Sequence, residues 1–370
     1  MELSRSFKKL HGLLPTVEKG RPIELSEKDV VIHAPGFEDR TMAIVEDIVM
    51  SRGGKAILLD YRPYKESHKL KEVCEGLLGS GVDVSEKNII EYDRFRPGDF
   101  ELRLRARLTS VGAKKAVIDI STMSKLEILL VLNVCREMKL DVKILYSEAE
   151  TYGPSEEEFE NAREKKEIHR PSLQIFTGIH GVVRVDSLSS IAMQGQSTAA
   201  IVFMSLNDAM TQVLLNTVYP GRLLLINGRP PVHSWREEAT AWIHDQVRRE
   251  WEDDNPCIVS PGSNVPLPKR TVSTLDYRET VVLLIDLYWA LSAGHRVLLA
   301  PAGSKLQSVG CYIVKALHPD IHIEYPSPEW FHPYYSSGIG HRWNIEFGNL
   351  NKLVTELGAE ERREFLEIRR

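Results

Sequence analysis

The segment Asp119-Ile120-Ser121-Thr122-Met123-Ser124-Lys125 gathers a carboxylate, three hydroxyls and an ammonium. It lies between the buried-looking run KAVID and the apolar stretch LEILLVLNVC. A strand handing over to a helix at this point brings Ser/Thr hydroxyls, the open N–H groups of a first helical turn and a lysine to one place. That donor set suits a phosphate or a ribose-phosphate. Ser121 or Thr122 serving only as a helix N-cap is the structural alternative. The second half of the chain has its own version in Gly303-Ser304-Lys305, again after a strand-like run, and a cap does not require the recurring lysine.

Other post-strand turns supply further candidates. In His33-Ala34-Pro35-Gly36-Phe37-Glu38-Asp39-Arg40, Gly36 permits close backbone approach and Arg40 can hold an anion. Glu38, Asp39 and Asp119 are the candidate acid/base groups, a role that requires a burial-shifted pKa; capping by Glu38-Asp39 is the plain reading. Asp60 and Arg62 close the run ILLDYR, where an acid can meet a ribose hydroxyl and an arginine a phosphate, or the two form a surface ion pair. In the second half Asn207, within Ser205-Leu206-Asn207-Asp208, stands at the counterpart of the His33–Arg40 turn, and Arg229 at that of Arg62. Tyr325 opens an aromatic, Ser/Gly-turned segment through Gly340 that suits either base stacking or cover of a sheet edge. A GxGxxG fingerprint, a Walker A loop and a G-x-S-x-G elbow are all absent, so no bound cofactor and no serine triad are expected. The cysteines Cys74, Cys135, Cys257 and Cys311 are too dispersed to predict a disulfide or a metal site.

The elements that must position these groups alternate. Short β-branched runs such as Val30-Val31-Ile32 are followed by stretches of helical periodicity, and the pattern repeats through both halves. This predicts an α/β protein of two tandem Rossmann-like units with mainly parallel sheets flanked by helices. The expected organisation is a lead-in over 1–28, a first unit over 29–154 and a charged linker and connecting segment over 155–198. A second unit over 199–345 and a C-terminal helix over 346–370 follow. Three local matches occur in the same order in both halves: ILLDYRP with LLLINGRP, STMSKL with PAGSKL, and ILYSEAETYGP with IEYPSPEWFHP. They favour internal duplication, and they concentrate on the loops after strands, where open α/β sheets place ligands.

Asp119, Ser121 and Lys125 together resemble the signature that follows the fourth core strand in CARF domains, the CRISPR-associated Rossmann-fold sensors. That signature is an Asp or Asn, a Ser or Thr two residues on, and an Arg or Lys four further on. The resemblance covers about residues 28 to 150; the second half departs from it, with Leu299 where the acid should be. It implies a nucleotide-binding pocket containing Ser121 and Lys125, and a nucleotide or cyclic oligonucleotide as ligand. It also implies a separate effector protein in a prokaryotic defence setting, and a homo-oligomer. A hydrolase or lyase cleaving a nucleotide, cyclic oligonucleotide or N-glycosidic bond is the alternative. Arg163 and His169 also match a spacing used by HEPN-type ribonucleases, but so charged a stretch produces that match cheaply. The 370-residue chain is 42% hydrophobic and 27% charged with a net charge of -5, ordinary for a globular protein and against a general polyanion binder. No apolar run reaches bilayer-spanning length, so a cytoplasmic protein without a membrane partner is expected.

Overall fold

The computed structural model describes residues 7–20, 22–167, 173–251 and 270–368. His169, Cys257 and the proline-rich loop around Pro261 lie outside them. Two compact units emerge, one of residues 15–153 with 333–353, the other of residues 1–14, 154–332 and 354–370.

The first unit is built on β1 (Asp29–His33), β2 (Lys55–Arg62), β3 (Ile89–Asp93), β4 (Lys115–Asp119) and β5 (Asp141–Ser147). These five run parallel in the order β5-β4-β1-β2-β3. Val30, Val31 and Ile32 are fully buried, because helices cover both faces of the sheet. One face packs Ile44, Val73 and Leu77 against Val31, Ala56, Leu58 and Val117. Helix α1 (Lys125–Glu137) is buried from Leu126 through Cys135. A helix without a solvent face is held by its surroundings rather than by amphipathicity.

The second unit carries β6 (Thr198–Phe203), β7 (Arg222–Arg229), β8 (Thr271–Ser273), β9 (Arg296–Ala300) and β10 (His322–Ile323). All are parallel, in the order β8-β7-β6-β9-β10. Counted within each unit, both sheets therefore share one strand order, and the chain is an α/β protein with two Rossmann-like sheets flanked by helices. Helix α2 (Lys305–Leu317) follows β9 as α1 follows β4. It packs on the helix Tyr277–Leu291 through Gly310, where an added Cβ would lie 2.7 Å from Thr280 Cγ2 and 3.0 Å from the Tyr277 carbonyl oxygen. Gly310→Val is expected to cost about 1–3 kcal/mol by overpacking, read as a lower denaturant midpoint; an unchanged midpoint would show that the helices can part.

The expected boundaries need correction. Residues 333–353 belong to the first unit, so a second unit over 199–345 overruns at its C-terminal end. The strand Arg342–Asn349 adds antiparallel to β5, with Arg342 opposite Ser147, and Glu18–Lys19 pairs beyond it. The C-terminal helix accordingly begins at Leu350, not at 346. The lead-in also carries structure among its described residues. Its helix Lys8–Leu13 joins the second unit, where Glu364 accepts the Lys9 N–H at 2.9 Å. The segment 155–198 is no mere linker: it holds the helix Glu156–Glu164 and the strand Phe176–Val183, which pairs antiparallel with Tyr325–Phe331. No helix of the described residues is long and apolar enough to cross a membrane.

Candidate functional site

Strand order reverses in the first sheet between β1 and β4, and open α/β sheets bind ligands at the carboxyl ends of the strands at such a point. The loops there are Ala34–Arg40 and Ile120–Ser124. They are tied together by polar groups. His33 Nε2 lies 3.0 Å from Thr41 Oγ1, which accepts the Gly36 N–H at 3.1 Å. Thr122 Oγ1 donates to the Ala34 carbonyl at 2.6 Å, and a Cβ on Gly36 would meet Thr122 Cβ at 3.1 Å. Asp119 Oδ1 accepts the Ser121 N–H at 2.9 Å and the Ser121 hydroxyl; Ser121 Oγ in turn accepts the Ser147 N–H at 2.8 Å. Asp119 Oδ2 faces His33 Nδ1 at 3.1 Å, an electrostatic contact too bent for a hydrogen bond.

Ser121 and Thr122 thus turn their hydroxyls into the protein instead of toward a ligand. The N-cap of α1 is Ser124, in a capping box with Glu127. Glu127 also accepts from the Tyr61 hydroxyl, while Tyr61 Oη accepts the Ser124 N–H at 2.8 Å. Lys125, the first residue of the helix, is different. No acidic group raises its pKa; burial, and then the neighbouring Arg40 guanidinium, push the ammonium down to about 8.

Arg40 is buried and bound by Glu38 Oε2 at 2.7 Å, and Glu38 also accepts from the Ser336 hydroxyl at 2.7 Å. The rest of the guanidinium donates to the Ser147 carbonyl, Tyr152 Oη and Tyr335 Oη at 3.3, 3.3 and 3.1 Å. Asp39 points elsewhere: Lys69 at 2.7 Å, then the Gly338 N–H at 3.0 Å, hold its carboxyl below the usual range. The three acid/base candidates, Glu38, Asp39 and Asp119, are therefore each engaged by the protein itself. Asp60, itself buried, takes Arg62 at 2.6 Å, with the exposed Glu91 on the guanidinium's other side.

In the second unit the candidates serve local structure. Asn207 Oδ1 accepts the Ala209 N–H at 2.8 Å at the start of the helix Ala209–Val218. Arg229 holds both Glu279 oxygens at 2.9 Å. Ser304 caps α2 in a box with Gln307 and donates to the Thr274 carbonyl at 2.7 Å. A Cβ on Gly303 would meet Gln307 Oε1 at 2.2 Å and displace the side chain that completes this cap. Lys305 stands at the first position of α2, half-buried. Tyr325 is buried in the antiparallel ribbon opposite Val183. The aromatic segment expected beside this crest divides, since Ser336–Ser337 pairs with Thr151–Tyr152 inside the first unit.

Reading along the chain missed Glu127 and Tyr152, and it gave Tyr61, Tyr335 and Ser336 none of these partners. Glu127 was findable, as the acid three residues after a serine that precedes an apolar run. Tyr335 and Ser336 sit some three hundred residues from Arg40 and carry no local mark of the pairing.

No protein-family model matches the chain, and no curated protein matches it. Among solved structures it is similar to UDP-GlcNAc 2-epimerase from Neisseria meningitidis bound to UDP-GlcNAc, at 10% identity and a TM-score of 0.19, over 91% of this chain and 100% of that one. At that TM-score the likeness carries no argument about fold, ligand or activity.

Proposed function

We propose that the first unit binds a nucleotide-like anion in front of Lys125, at the switch point of its sheet, and acts as a ligand-sensing module. The observation that carries this is the placement of Lys125, which opens α1 just after β4, where the strand order of the sheet reverses. Glu38 is committed to Arg40, and Lys125 keeps its charge beside that guanidinium with no acid to raise its pKa. A bound phosphate would supply the missing charge. The resemblance to CARF sensors supports the same place, since β4 ends at Asp119 and Lys125 opens the next helix. The separate effector, the defence setting and a homo-oligomer rest on that resemblance alone. Descent of both units from one ancestor draws support from their common strand order and from the matching capping serines Ser124 and Ser304.

The test is a panel of nucleotides and cyclic oligonucleotides, read by thermal shift and calorimetry on wild type and Lys125→Met. Loss of one charge-assisted contact predicts affinity about 10–100-fold weaker in the variant; equal affinity overturns the site. Wild-type affinity should also fall as pH rises above about 8, where the free ammonium loses its proton. Stability moves the other way. The folded pKa lies below the ordinary 10.5, so the unfolded chain holds this proton more tightly and Lys125 costs stability at neutral pH. That cost shrinks as pH rises from about 8 toward 10.5, and ligand-free Lys125→Met is expected to melt above wild type at pH 7.

A further inference from the structure

The second unit holds a buried histidine, a buried carboxylate and a backbone amide in one chain of contacts, away from the post-strand turns described above. His322 opens the edge strand β10, and Glu324 follows that strand, its N–H donating to the Leu299 carbonyl of β9 at 3.1 Å. Side chains two residues apart on a strand share a face, and both of these are buried. Segment 184–197 meets them there, on its way from the strand Phe176–Val183 to β6.

His322 Nδ1 accepts the Ser190 N–H at 3.2 Å. The ring hydrogen therefore sits on Nε2 and donates to Glu324 Oε1 at 3.0 Å. Arg184 Nε reaches the same oxygen at 2.7 Å, while Glu324 Oε2 is buried with no hydrogen-bond partner among the described residues. Burial raises the Glu324 carboxyl, but the bonds from His322 and Arg184 outweigh it and hold the group below its ordinary range. From β9, Arg296 Nη2 donates to the Ser190 carbonyl at 2.8 Å. From α2, Lys315 Nζ is committed to the carbonyls of Pro319 and Ile321 at 2.8 and 2.7 Å.

These contacts fit a neutral imidazole. A second proton can go only to Nδ1, the nitrogen onto which Ser190 donates. Donor would then face donor, and that backbone bond is lost. The new charge is not isolated, because the Glu324 carboxylate stands on the other side of the ring. The cost of protonation therefore falls on Ser190, whose carbonyl already carries Arg296. Arg184 cannot take over the fastening: its side chain is 56% exposed, where an ion pair contributes little.

We propose that His322 is a proton-operated catch: the neutral ring holds segment 184–197 against the edge of the second sheet, and protonation frees the Ser190 amide and loosens the segment. The loosened form takes the second proton more readily than the fastened one, so acid favours loosening and base favours fastening. The catch is independent of the reading of Lys125.

The test uses the full chain with isotope-labelled histidine and serine, taken from about pH 8 to about pH 5. The His322 ring nitrogens and the Ser190 amide are expected to titrate with one midpoint. Exchange of the Ser190 N–H, corrected for its intrinsic pH dependence, should become about tenfold faster or more across that midpoint. A ring that gains its proton while Ser190 stays protected overturns the catch, and so does a ring whose charge is constant over the range. Glu324→Gln removes the carboxylate that favours the imidazolium, so both midpoints should move to lower pH; a midpoint that stays or rises refutes the arrangement. His322→Asn has no proton to gain, and its Ser190 exchange should no longer respond to acid. Acid loosening that persists in this variant assigns the effect to another group and sinks the proposal.

Discussion

Arg40→Ala is expected to destabilise the first unit by about 3–5 kcal/mol, the cost of breaking a buried ion pair by removing one partner. The guanidinium is 2% exposed and serves Glu38, the Ser147 carbonyl and the hydroxyls of Tyr152 and Tyr335. Its loss leaves the Glu38 carboxylate in a buried site with uncharged hydroxyls, those of Ser336 and Tyr335, in place of a cation. The measurement is urea unfolding followed by a probe within the first unit, because two units need not unfold in one step. Removing both charges, as Glu38→Gln with Arg40→Met, should restore much of the loss, since an apolar or neutral pair avoids the desolvation that the ions bear. If Arg40→Ala alone moves the midpoint by less than the equivalent of about 1 kcal/mol, the site is wetter than its burial indicates.

Asp119→Ala is the second large effect, at about 2–4 kcal/mol from leaving buried donors unsatisfied. One oxygen accepts the Ser121 N–H and hydroxyl, the other faces His33 Nδ1, and both neighbours are fully buried. The carboxylate favours the His33 tautomer with hydrogen on Nδ1, leaving Nε2 to accept from the Thr41 hydroxyl, which itself receives the Gly36 N–H. Asp119→Asn should cost much less. Its oxygen can keep the Ser121 contacts, and its amide can stand against Nδ1 if the ring takes the other tautomer. Thr41 then accepts from both His33 Nε2 and Gly36 N–H and turns its own hydrogen to Thr122 Oγ1, 3.3 Å away. Equal losses in the Ala and Asn variants would mean that charge, not hydrogen bonding, holds the two loops.

These two residues also show how the candidate site divides between sequence and fold. Asp119 was legible because a buried strand ends in an acid just before hydroxyls and a lysine. Its direction was not legible, because whether Ser121 and Thr122 turn out or in depends on which backbone donors and acceptors they meet. They meet Ser147, the last residue of β5, and Ala34, the residue just after β1. For Arg40 the sequence supplied only a charge after a glycine turn. Its conversion into a buried hub required Tyr152 and Tyr335, which the Ser336–Ser337 pairing with Thr151–Tyr152 brings together.

By itself the sequence determined the periodicities: β-branched runs that only a doubly covered sheet can bury, and the helices between them. These are local, because side-chain spacing along a strand or a helix is a property of a few consecutive residues. Only the tertiary structure decided where Arg342–Asn349 goes. An alternating run can add to any open sheet edge, and its return to β5, rather than to the sheet nearer in sequence, depends on register and burial across about two hundred residues. The same long-range closure decided the chemistry left at the switch point. The hydroxyls were consumed in joining two loops, the acids were consumed by Arg40, Lys69 and the Ser121–His33 network, and Lys125 remained with its charge beside Arg40.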